Sequence, residues 1–479
     1  MNRALPGSEF TRRQSLVVGG LSLFGLNSAD LSALRAAAAE QSADSRSDST
    51  SSRIAAQHRP HSCVFIFLFG GPSHIDLWDM KPDAPAEIRG EFQPVATNVP
   101  GIHLSEHLPR LARQMDKLCL LRSMTHRMNV HGPACSEIYT GREYFGPPVT
   151  DQATPQDWPS LASCVARYGM PQGGLPSSIV LPWYTQFVGQ DKRIAGQTGG
   201  RMGEQFSPFL VQGDPTASSF GVEGLSLPSD VPLARFQQRK RLHAQLVRAT
   251  NRVEGRTAGL SDSHYEQAFS TVEATGTADA FDLHREVPAL RDRYGRTKFG
   301  QSLLAARRLV EAGVSLITVN WDDDSRFDKV SPHWDTHHQN FSKLREGLCP
   351  PFDQAFAMFL EDLHARGLLD STLVVVSGEF GRSPRIGLIT QNGMTERTGR
   401  DHWPHAFTVL LAGGGVRGGQ VYGATGSTGG FVTDNPVSPA DLAATILLHL
   451  GVDSHREYDD QFQRMPQRLC EGLPIRGLG

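Results

Sequence analysis

Acidic residues and histidines recur at the ends of hydrophobic runs along this chain of 479 residues. The segments that carry them are residues 70–76, 334–337, 378–382 and 399–405. Carboxylate oxygens and imidazole nitrogens bind divalent cations such as Zn, Ca, Mn and Mg, and the strand ends of an open α/β sheet present ligands at a shared edge. The sequence therefore predicts a metal-dependent hydrolytic site.

Several of these residues are candidate metal ligands. Asp335 and His337 are two positions apart, so on an extended segment both side chains point to the same side and could bind one ion. Asp76 follows the first hydrophobic run, where it could bind a cation or instead cap the next segment. His402 and His405, three positions apart, complete the series. The acidic run at residues 322–324 is a rival cluster, of which we expect at least two members to lie in a solvated loop.

A carboxylate and a guanidinium group follow another hydrophobic run. Glu379 comes after Gly378, and Arg382 lies three residues later. The carboxylate could bind a metal ion, while the guanidinium offers a planar pair of donors to a phosphate- or sulfate-like oxyanion. The alternative is an internal ion pair between Glu379 and Arg382.

The elements that must position these residues can be read from hydrophobicity. Apolar runs of strand length cover residues 63–69, 118–121, 314–320, 372–377 and 407–412. Helical patterns cover residues 108–115, 301–312 and 351–366. Strands that alternate with helices predict an α/β fold with a doubly wound, mainly parallel sheet flanked by helices. Residues 150–300 are rich in Gly, Pro and polar residues and then helical over 231–253, so we expect an inserted cap region there.

The N-terminus has the composition of a targeting segment. Arg12 and Arg13 precede an apolar run at residues 16–26 and an Ala-rich stretch, an arrangement that resembles a Tat signal. The alternative is a short buried or anchoring helix. We expect a Tat-type signal at residues 1–39, a disordered linker at 40–60 and one α/β domain at 61–479, exported through the Tat machinery to the periplasm or the exterior.

Composition excludes several classes of protein. The formal net charge of −3 gives no indication of a nucleic-acid partner, and no apolar run reaches the roughly 20 residues that span a bilayer. The six cysteines form no C-x-x-C pair, so neither a zinc ribbon nor a thioredoxin motif is indicated. Cys63 and Cys119 border apolar strands and are expected to be buried small hydrophobes. The G-x-S-x-G, Walker A and H-E-x-x-H motifs are also absent from the sequence.

The chain resembles the DUF1501 family in three motifs, Gly70-Gly-Pro-Ser-His-Ile-Asp-Leu-Trp-Asp79, Trp334-Asp-Thr-His337 and Gly378-Glu-Phe-Gly-Arg-Ser-Pro384. Residues 399–403 and 411–416 extend the resemblance, which covers roughly residues 61–450. Members of this family are often described as sulfatase-like and fall within the alkaline phosphatase superfamily. The resemblance therefore implies an alkaline-phosphatase-like sheet, one or two divalent metal ions, and hydrolysis of phosphate or sulfate esters.

Two departures from the superfamily pattern concern the site. Sulfatases carry a Cys-x-Pro-x-Arg segment whose Cys becomes formylglycine, whereas the comparable stretch here, residues 131–142, has His131 in that position. Cys135 lacks the Pro and Arg at the required offsets, so the formylglycine motif is missing. Glu379 and Phe380 stand where the superfamily has an Asp-His pair, and His402 or His405 could replace the missing imidazole.

These residues define a mechanistic hypothesis for a small-molecule or carbohydrate ester substrate. His131 would be a further ligand, a general base or a nucleophile, and Arg382 would neutralise charge on the transferred group. The other class that remains open is a non-catalytic exported protein of the same fold that binds a metal or another ligand. The metal ligands in the hypothesis are Asp76, Asp335, His337, Glu379 and His402, with His405 as a further candidate.

Overall fold

The fold is described from a computed structural model. The predicted signal segment and linker, residues 1–60, lie outside the described residues, as do several internal segments. The structure describes residues 61–146, 153–169, 175–187, 193–217, 220, 231–254, 277–328, 331–388 and 397–479.

One eight-stranded sheet organises the described part of the chain, with the strand order β8-β2-β7-β6-β1-β5-β3-β4. Strand β7 runs antiparallel to both of its neighbours, and the other paired strands are parallel. This arrangement confirms the predicted α/β fold with a mainly parallel sheet. The strands are β1 (Ser62–Phe67), β2 (Leu118–Met124), β3 (Ser178–Leu181), β4 (Phe209–Leu210), β5 (Leu316–Asn320), β6 (Thr372–Ser377), β7 (Phe407–Ala412) and β8 (Gln420–Tyr422).

Helices cover both faces of this sheet. The longer ones are α1 (His131–Thr140), α2 (Leu161–Tyr168), α3 (Leu233–Glu254), α4 (Thr277–Phe281), α5 (Pro288–Tyr294), α6 (Lys298–Glu311), α7 (Cys349–Ala365) and α8 (Pro439–His449). Shorter helical turns lie at His74–Leu77, Ala86–Arg89, Pro109–Ala112 and Asn340–Ser342, and a π-helical turn at Lys343–Leu348 leads into α7. Small antiparallel pairs join Pro94–Ala96 with His103–Ser105, Gly381–Arg382 with His402–Trp403, Ala424–Thr425 with Val432–Asp434, and Glu457–Asp459 with Pro466–Arg468.

Strand β1 shows how the sheet separates two hydrophobic cores. Successive side chains of a strand point to opposite faces. Val64 and Ile66 therefore enter the core formed with α6 and α7, whereas Phe65 and Phe67 enter the core formed with α1, α2 and α8. All residues of β1 are buried, which explains the continuous apolar run in the sequence.

Helix boundaries follow local capping chemistry. The side chain of Thr297 accepts a hydrogen bond from the backbone N–H of Gly300 at the start of α6. At the start of α8, Ser438 and Asp441 form a reciprocal capping box. Such caps satisfy backbone N–H groups that have no partner inside the helix, and each typically stabilises a helix by about 1 kcal/mol.

The region predicted as an inserted cap, residues 150–300, is partly built into the sheet. Strand β3 pairs with β5 in parallel, and β4 extends the edge beyond β3. With four and two residues, these strands are too short to give a clear apolar pattern in the sequence. The predicted helix in this region corresponds to α3.

Every cysteine of the chain lies within the described residues. All six cysteines are buried and unpaired, including Cys63 and Cys119 as expected. Within the described residues, no helix combines the length and apolar character needed to cross a bilayer.

Core packing around α7 gives a direct test of the fold. Leu360 in α7 is fully buried, so Leu360→Ala should lower the free energy of unfolding by about 2–5 kcal/mol because it removes packed methyl groups. Leu448 in α8 is 63% exposed, and Leu448→Ala should change stability by about 0.5 kcal/mol or less. Urea denaturation followed by circular dichroism measures both, and equal losses would contradict the described packing.

Candidate metal centre

Four buried side chains converge at one edge of the sheet. One nitrogen or oxygen atom from each of them lies within 4.8 Å of the others. Asp335 is at the centre: its Oδ2 is 3.2 Å from His131 Nε2, and its Oδ1 is 3.0 Å from His337 Nε2 and 3.3 Å from His402 Nε2. The two Nε2 atoms of His337 and His402 are 2.8 Å apart. The group is therefore three imidazole nitrogens and one carboxylate, His131, Asp335, His337 and His402.

The strand ends bring these residues together. Strands β1, β5 and β6 run parallel, so the segments that follow them meet at their shared C-terminal edge. Asp335 and His337 lie in the segment after β5, and His402 lies in a two-residue strand paired with Gly381–Arg382, just beyond β6. His131 is the first residue of α1. The segments pack closely: Gly70 has φ +115°, and a Cβ atom there would lie 2.2 Å from the backbone nitrogen of Asp335.

An acceptor lies beside the Nδ1 atom of each histidine. His131 Nδ1 is 2.5 Å from Glu379 Oε1, and His402 Nδ1 is 2.7 Å from the carbonyl oxygen of Asn129. His337 Nδ1 lies 3.5 Å from Asp401 Oδ1. An N–H at each Nδ1 leaves the lone pair on Nε2, which faces the cluster. Metal-binding histidines show this arrangement, in which an outer partner fixes the tautomer and the ring orientation.

The site also contains a buried nitrogen without a hydrogen bond. His131 Nε2 faces the cluster 3.2 Å from Asp335 Oδ2, but this contact does not have hydrogen-bond geometry. Buried polar atoms without partners are rare in native proteins. A divalent cation coordinated by the four side chains would satisfy this atom, so the residues present fit a metal ion.

Charges within the site shift several pKa values. Burial alone would raise the pKa of Asp335, but the charges of Arg382 and His131 outweigh it and hold this pKa well below its usual range. Burial, followed by the nearby charge of His131, lowers the pKa of His402 to about 3. Burial also opposes protonation of His131, yet the carboxylates of Asp335 and Glu379 raise its pKa to about 9. The group therefore attracts one positive charge to its centre, and a metal ion there would replace the proton on His131.

Glu379 occupies a supporting position rather than the predicted place among the ligands. Its carboxylate accepts hydrogen bonds from the backbone N–H of Gly70 at 2.9 and 3.1 Å and is next to Nδ1 of His131. Its oxygens are thus on the far side of the His131 ring from the cluster. Glu379 orients His131 and is not one of the four converging groups.

Arg382 is fully buried behind Asp335. It donates to the backbone oxygens of Gly70, Gly71 at 2.9 Å and Arg400 at 3.0 Å, and to the carboxylate of Asp335. The sequence predicts that Arg382 neutralises charge on the transferred group. In the structure its guanidinium instead neutralises Asp335 and is enclosed by backbone carbonyls.

Two other predicted ligands lie outside the cluster. Asp76 forms a fully buried bidentate ion pair with Arg400, with both nitrogen–oxygen distances at 2.8 Å. His405 is exposed and its ring stacks against Phe431, with centroids 5.4 Å apart. The structure therefore places Asp76 in a structural pair and His405 at the surface. The sequence did not indicate a role for Arg400. No local sequence feature distinguishes Asp76, its partner, from the other carboxylates at strand ends.

The rival acidic run is largely engaged with protein groups. Asp322 is buried and accepts a hydrogen bond from Trp183 Nε1 at 3.1 Å. Asp323 lies 3.0 Å from Nδ1 of His333, and Asp324 is exposed. The expectation that at least two of the three would be solvated is wrong, because Asp322 and Asp323 have partners brought close by folding.

Aromatic rings surround the metal-binding group. The ring of His131 lies 5.1 Å from that of Phe380, 5.2 Å from Phe69 and 5.7 Å from Phe187, and Phe380 is also 4.4 Å from the ring of His402. Apolar walls reduce the local dielectric constant, which strengthens charge interactions within the site.

The mainly parallel sheet with helices on both faces defines an α/β protein. The imidazole and carboxylate groups at its strand ends form a candidate metal centre. The chain belongs to the DUF1501 family, described as "Protein of unknown function", whose family model matches residues 60–477. No curated protein sequence matches the chain.

Solved structures with similar folds share little sequence with this protein. A phosphonate monoester hydrolase from Silicibacter pomeroyi is 12% identical, with 87% of this chain and 76% of that chain covered and a TM-score of 0.37. A sulfatase from Pseudoalteromonas sp. is 12% identical, with coverages of 83% and 69% and a TM-score of 0.34. A protein in the alkaline phosphatase superfamily from Vibrio parahaemolyticus is 10% identical, with coverages of 82% and 67% and a TM-score of 0.36.

The ion pair beside the site gives a stability prediction. Arg400→Met should destabilise the protein by about 3–5 kcal/mol, because it leaves the carboxylate of Asp76 buried without its cation. Adding Asp76→Asn should recover a large part of this loss, since the neutral amide removes the uncompensated charge. Chemical denaturation of both variants measures the difference. A double variant less stable than Arg400→Met would contradict the pairing.

Proposed function

We propose that this protein is a hydrolase of phosphate or sulfate esters that uses one divalent metal ion. The observation that carries the proposal is the group of three histidines whose Nε2 atoms face the carboxylate of Asp335 while their Nδ1 atoms face fixed acceptors. Three imidazoles and one carboxylate favour zinc or a similar transition metal over Mg or Ca, which prefer oxygen ligands. A second ion has no comparable group among the described residues.

Each residue of the site would have a distinct role in metal binding or proton transfer. Asp335, His337 and His402 would hold the ion, and Arg382 would keep Asp335 ionised and oriented. His131, oriented by Glu379, would be either the fourth ligand or the base that removes a proton from the attacking water. A divalent ion in such a site polarises ester oxygens and lowers the pKa of water toward neutrality.

Water is the nucleophile that fits this arrangement. The four converging residues include no hydroxyl or thiol group. Cys135, one turn along α1 from His131, is fully buried, and burial followed by the charge of Glu379 raises the pKa of its thiol well above the usual value. A thiolate at this position would be strongly disfavoured.

The substrate class and the location rest on sequence features. The motifs that resemble the sulfatase-like proteins of the alkaline phosphatase superfamily support phosphate or sulfate esters, including small-molecule and carbohydrate esters. The twin arginine at Arg12 and Arg13 supports export by the Tat machinery. Tat substrates cross the membrane folded, which would allow the metal to be bound before export.

A second candidate is a non-catalytic exported protein that binds a metal ion. It is favoured by the number and burial of the ligands: all four side chains are buried, and four protein ligands complete a tetrahedral shell. Catalytic zinc sites usually keep one position open for water. The two candidates differ in whether His131 remains bound to the ion.

Metal binding is tested by matched histidine variants. The purified wild-type protein should carry about one divalent ion per chain by mass spectrometry, because one group of ligands is available. His337→Ala should lose the ion, whereas His405→Ala should retain it, since His405 is exposed and is not one of the four converging residues. Equal metal content in all three proteins would refute the assignment.

Hydrolysis is tested with p-nitrophenyl phosphate, bis-p-nitrophenyl phosphate, p-nitrophenyl phenylphosphonate and p-nitrophenyl sulfate. The metal-loaded protein should release p-nitrophenol from at least one of them. Glu379→Gln should reduce this activity or the metal affinity by about 10–100-fold, because it disturbs the group that orients His131. A metal-loaded protein that turns over none of the esters would favour the non-catalytic candidate.

A further inference from the structure

A separate polar cavity of about 450 Å³ lies between the C-terminal end of α1 and the start of α8. Its volume is in the range of small-molecule sites. The residues that line it and bear on its chemistry are His126, Glu137, Arg142, Glu143, Phe145 and Trp158. It is distinct from the metal centre, from which the ring of His126 and the backbone of Glu379 separate it, with His126 Nε2 donating to the Glu379 carbonyl oxygen at 2.6 Å.

Glu137 presents an incompletely satisfied carboxylate to this cavity. The residue is only 5% exposed, and its Oε1 accepts a hydrogen bond from the backbone N–H of Tyr144 at 3.0 Å. Nδ1 of His126 lies 3.7 Å from Oε2, beyond hydrogen-bond distance. Among the described residues, the hydrogen bond to this carboxylate is the one from Tyr144 to Oε1, and Oε2 is left to the cavity.

His126 cannot donate a hydrogen bond to Glu137 Oε2. Its Nε2 carries the hydrogen that goes to the carbonyl of Glu379, and its Nδ1 accepts a hydrogen bond from the backbone N–H of Met128 at 3.1 Å. Burial lowers the pKa of His126 to about 4, so the ring is neutral near pH 7. Glu137 Oε2 thus faces the lone pair of His126 Nδ1 on one side and the cavity on the other.

Arg142 is already paired with another residue of the cavity wall. Arg142 lies 2.8 Å from Glu471 and its guanidinium stacks 4.3 Å from the ring centre of Trp158. The lining contains two guanidinium groups, on Arg127 and Arg142, and three carboxylates, on Glu137, Glu143 and Glu471. The cavity therefore carries a net negative charge when its acids are ionised, which selects against anions.

An aromatic ring adds to the preference for a cation. Phe145 lines the cavity and is 77% exposed, an unusual position for a large apolar side chain. The face of an aromatic ring attracts ammonium groups through its quadrupole. A carboxylate oxygen and an exposed aromatic ring in one lining are groups that attract an organic ammonium ion.

We propose that this cavity is a binding site for an organic cation with a primary ammonium group, in which Glu137 accepts a hydrogen bond from the ammonium. The remainder of the ligand fills the cavity towards Phe145. This site is independent of the hydrolase proposal, since it uses none of the metal-binding residues. The raised pKa of Glu137, about 7 because of its burial, is consistent with a carboxylate that lacks its cationic partner.

Calorimetric titration of the full chain tests this site with two amines and their neutral counterparts. The pairs are putrescine with butane-1,4-diol, and glucosamine with glucose, at about pH 8, where a carboxyl group with a pKa of about 7 is mostly ionised. At least one amine should bind more than about tenfold tighter than its neutral counterpart. Equal affinity within both pairs, or no binding of either amine, would overturn the proposal.

Two glutamate variants test which carboxylate of the cavity binds the amine. Glu137→Gln keeps the shape of the side chain and removes the charge, so it should weaken amine binding by more than about tenfold. Glu143→Gln makes the same change at an exposed position of the lining and should change affinity by less than about threefold. Thermal unfolding checks that both variants fold. Unchanged binding by folded Glu137→Gln would exclude this carboxylate, and a larger effect of Glu143→Gln would place recognition elsewhere.

Discussion

The carboxylate of Asp335 is the group on which the site depends. It is buried, it contacts all three histidines of the candidate metal centre, and it receives a hydrogen bond from Arg382. An isolated buried carboxylate is costly, so its neighbours must supply compensating charge. Arg382 does so while its other donors bind backbone oxygens from two different segments of the chain, at Gly70–Gly71 and at Arg400. The charge requirement of one side chain thus fixes the positions of the loops that carry the others.

The sheet was predictable because its central strands are buried on both faces. Strands β6 and β7 have the boundaries that their apolar runs predict, and β1 differs by two residues at its end and one at its start. Strands β3 and β4 were missed since their short runs resemble ordinary loop sequence, and only pairing with β5 makes them strands. Local hydrophobicity therefore identifies the interior of the sheet better than its edge.

The residues of the site were predictable as a set but not in their individual roles. Asp335, His337, His402 and His131 were all candidates, and the structure brings them together. Asp76 looks equivalent to them in the sequence, yet it pairs with Arg400, which is 324 residues away. A carboxylate at a strand end can bind a metal, orient a histidine or pair with an arginine, and the choice depends on long-range contacts that spacing does not encode.

Helix α1 joins two chemically different environments through one rigid element. Its first residue, His131, faces the metal-binding group, and Glu137 near its other end faces the polar cavity. His126 connects the same two regions through the carbonyl oxygen of Glu379. His126 therefore lies between Glu137, which faces the cavity, and Glu379, which contacts His131.

The close approach of Gly70 to the segment after β5 restricts position 70 to glycine. Any side chain at position 70 would collide with the backbone of Trp334 and Asp335, and the positive φ angle of Gly70 is unfavourable for other residues. The end of the first strand is therefore closed to an additional acidic ligand by the main chain itself. A variant that placed a carboxylate at position 70 would have to move the 334–335 loop, so this constraint comes from the backbone rather than from any single side chain.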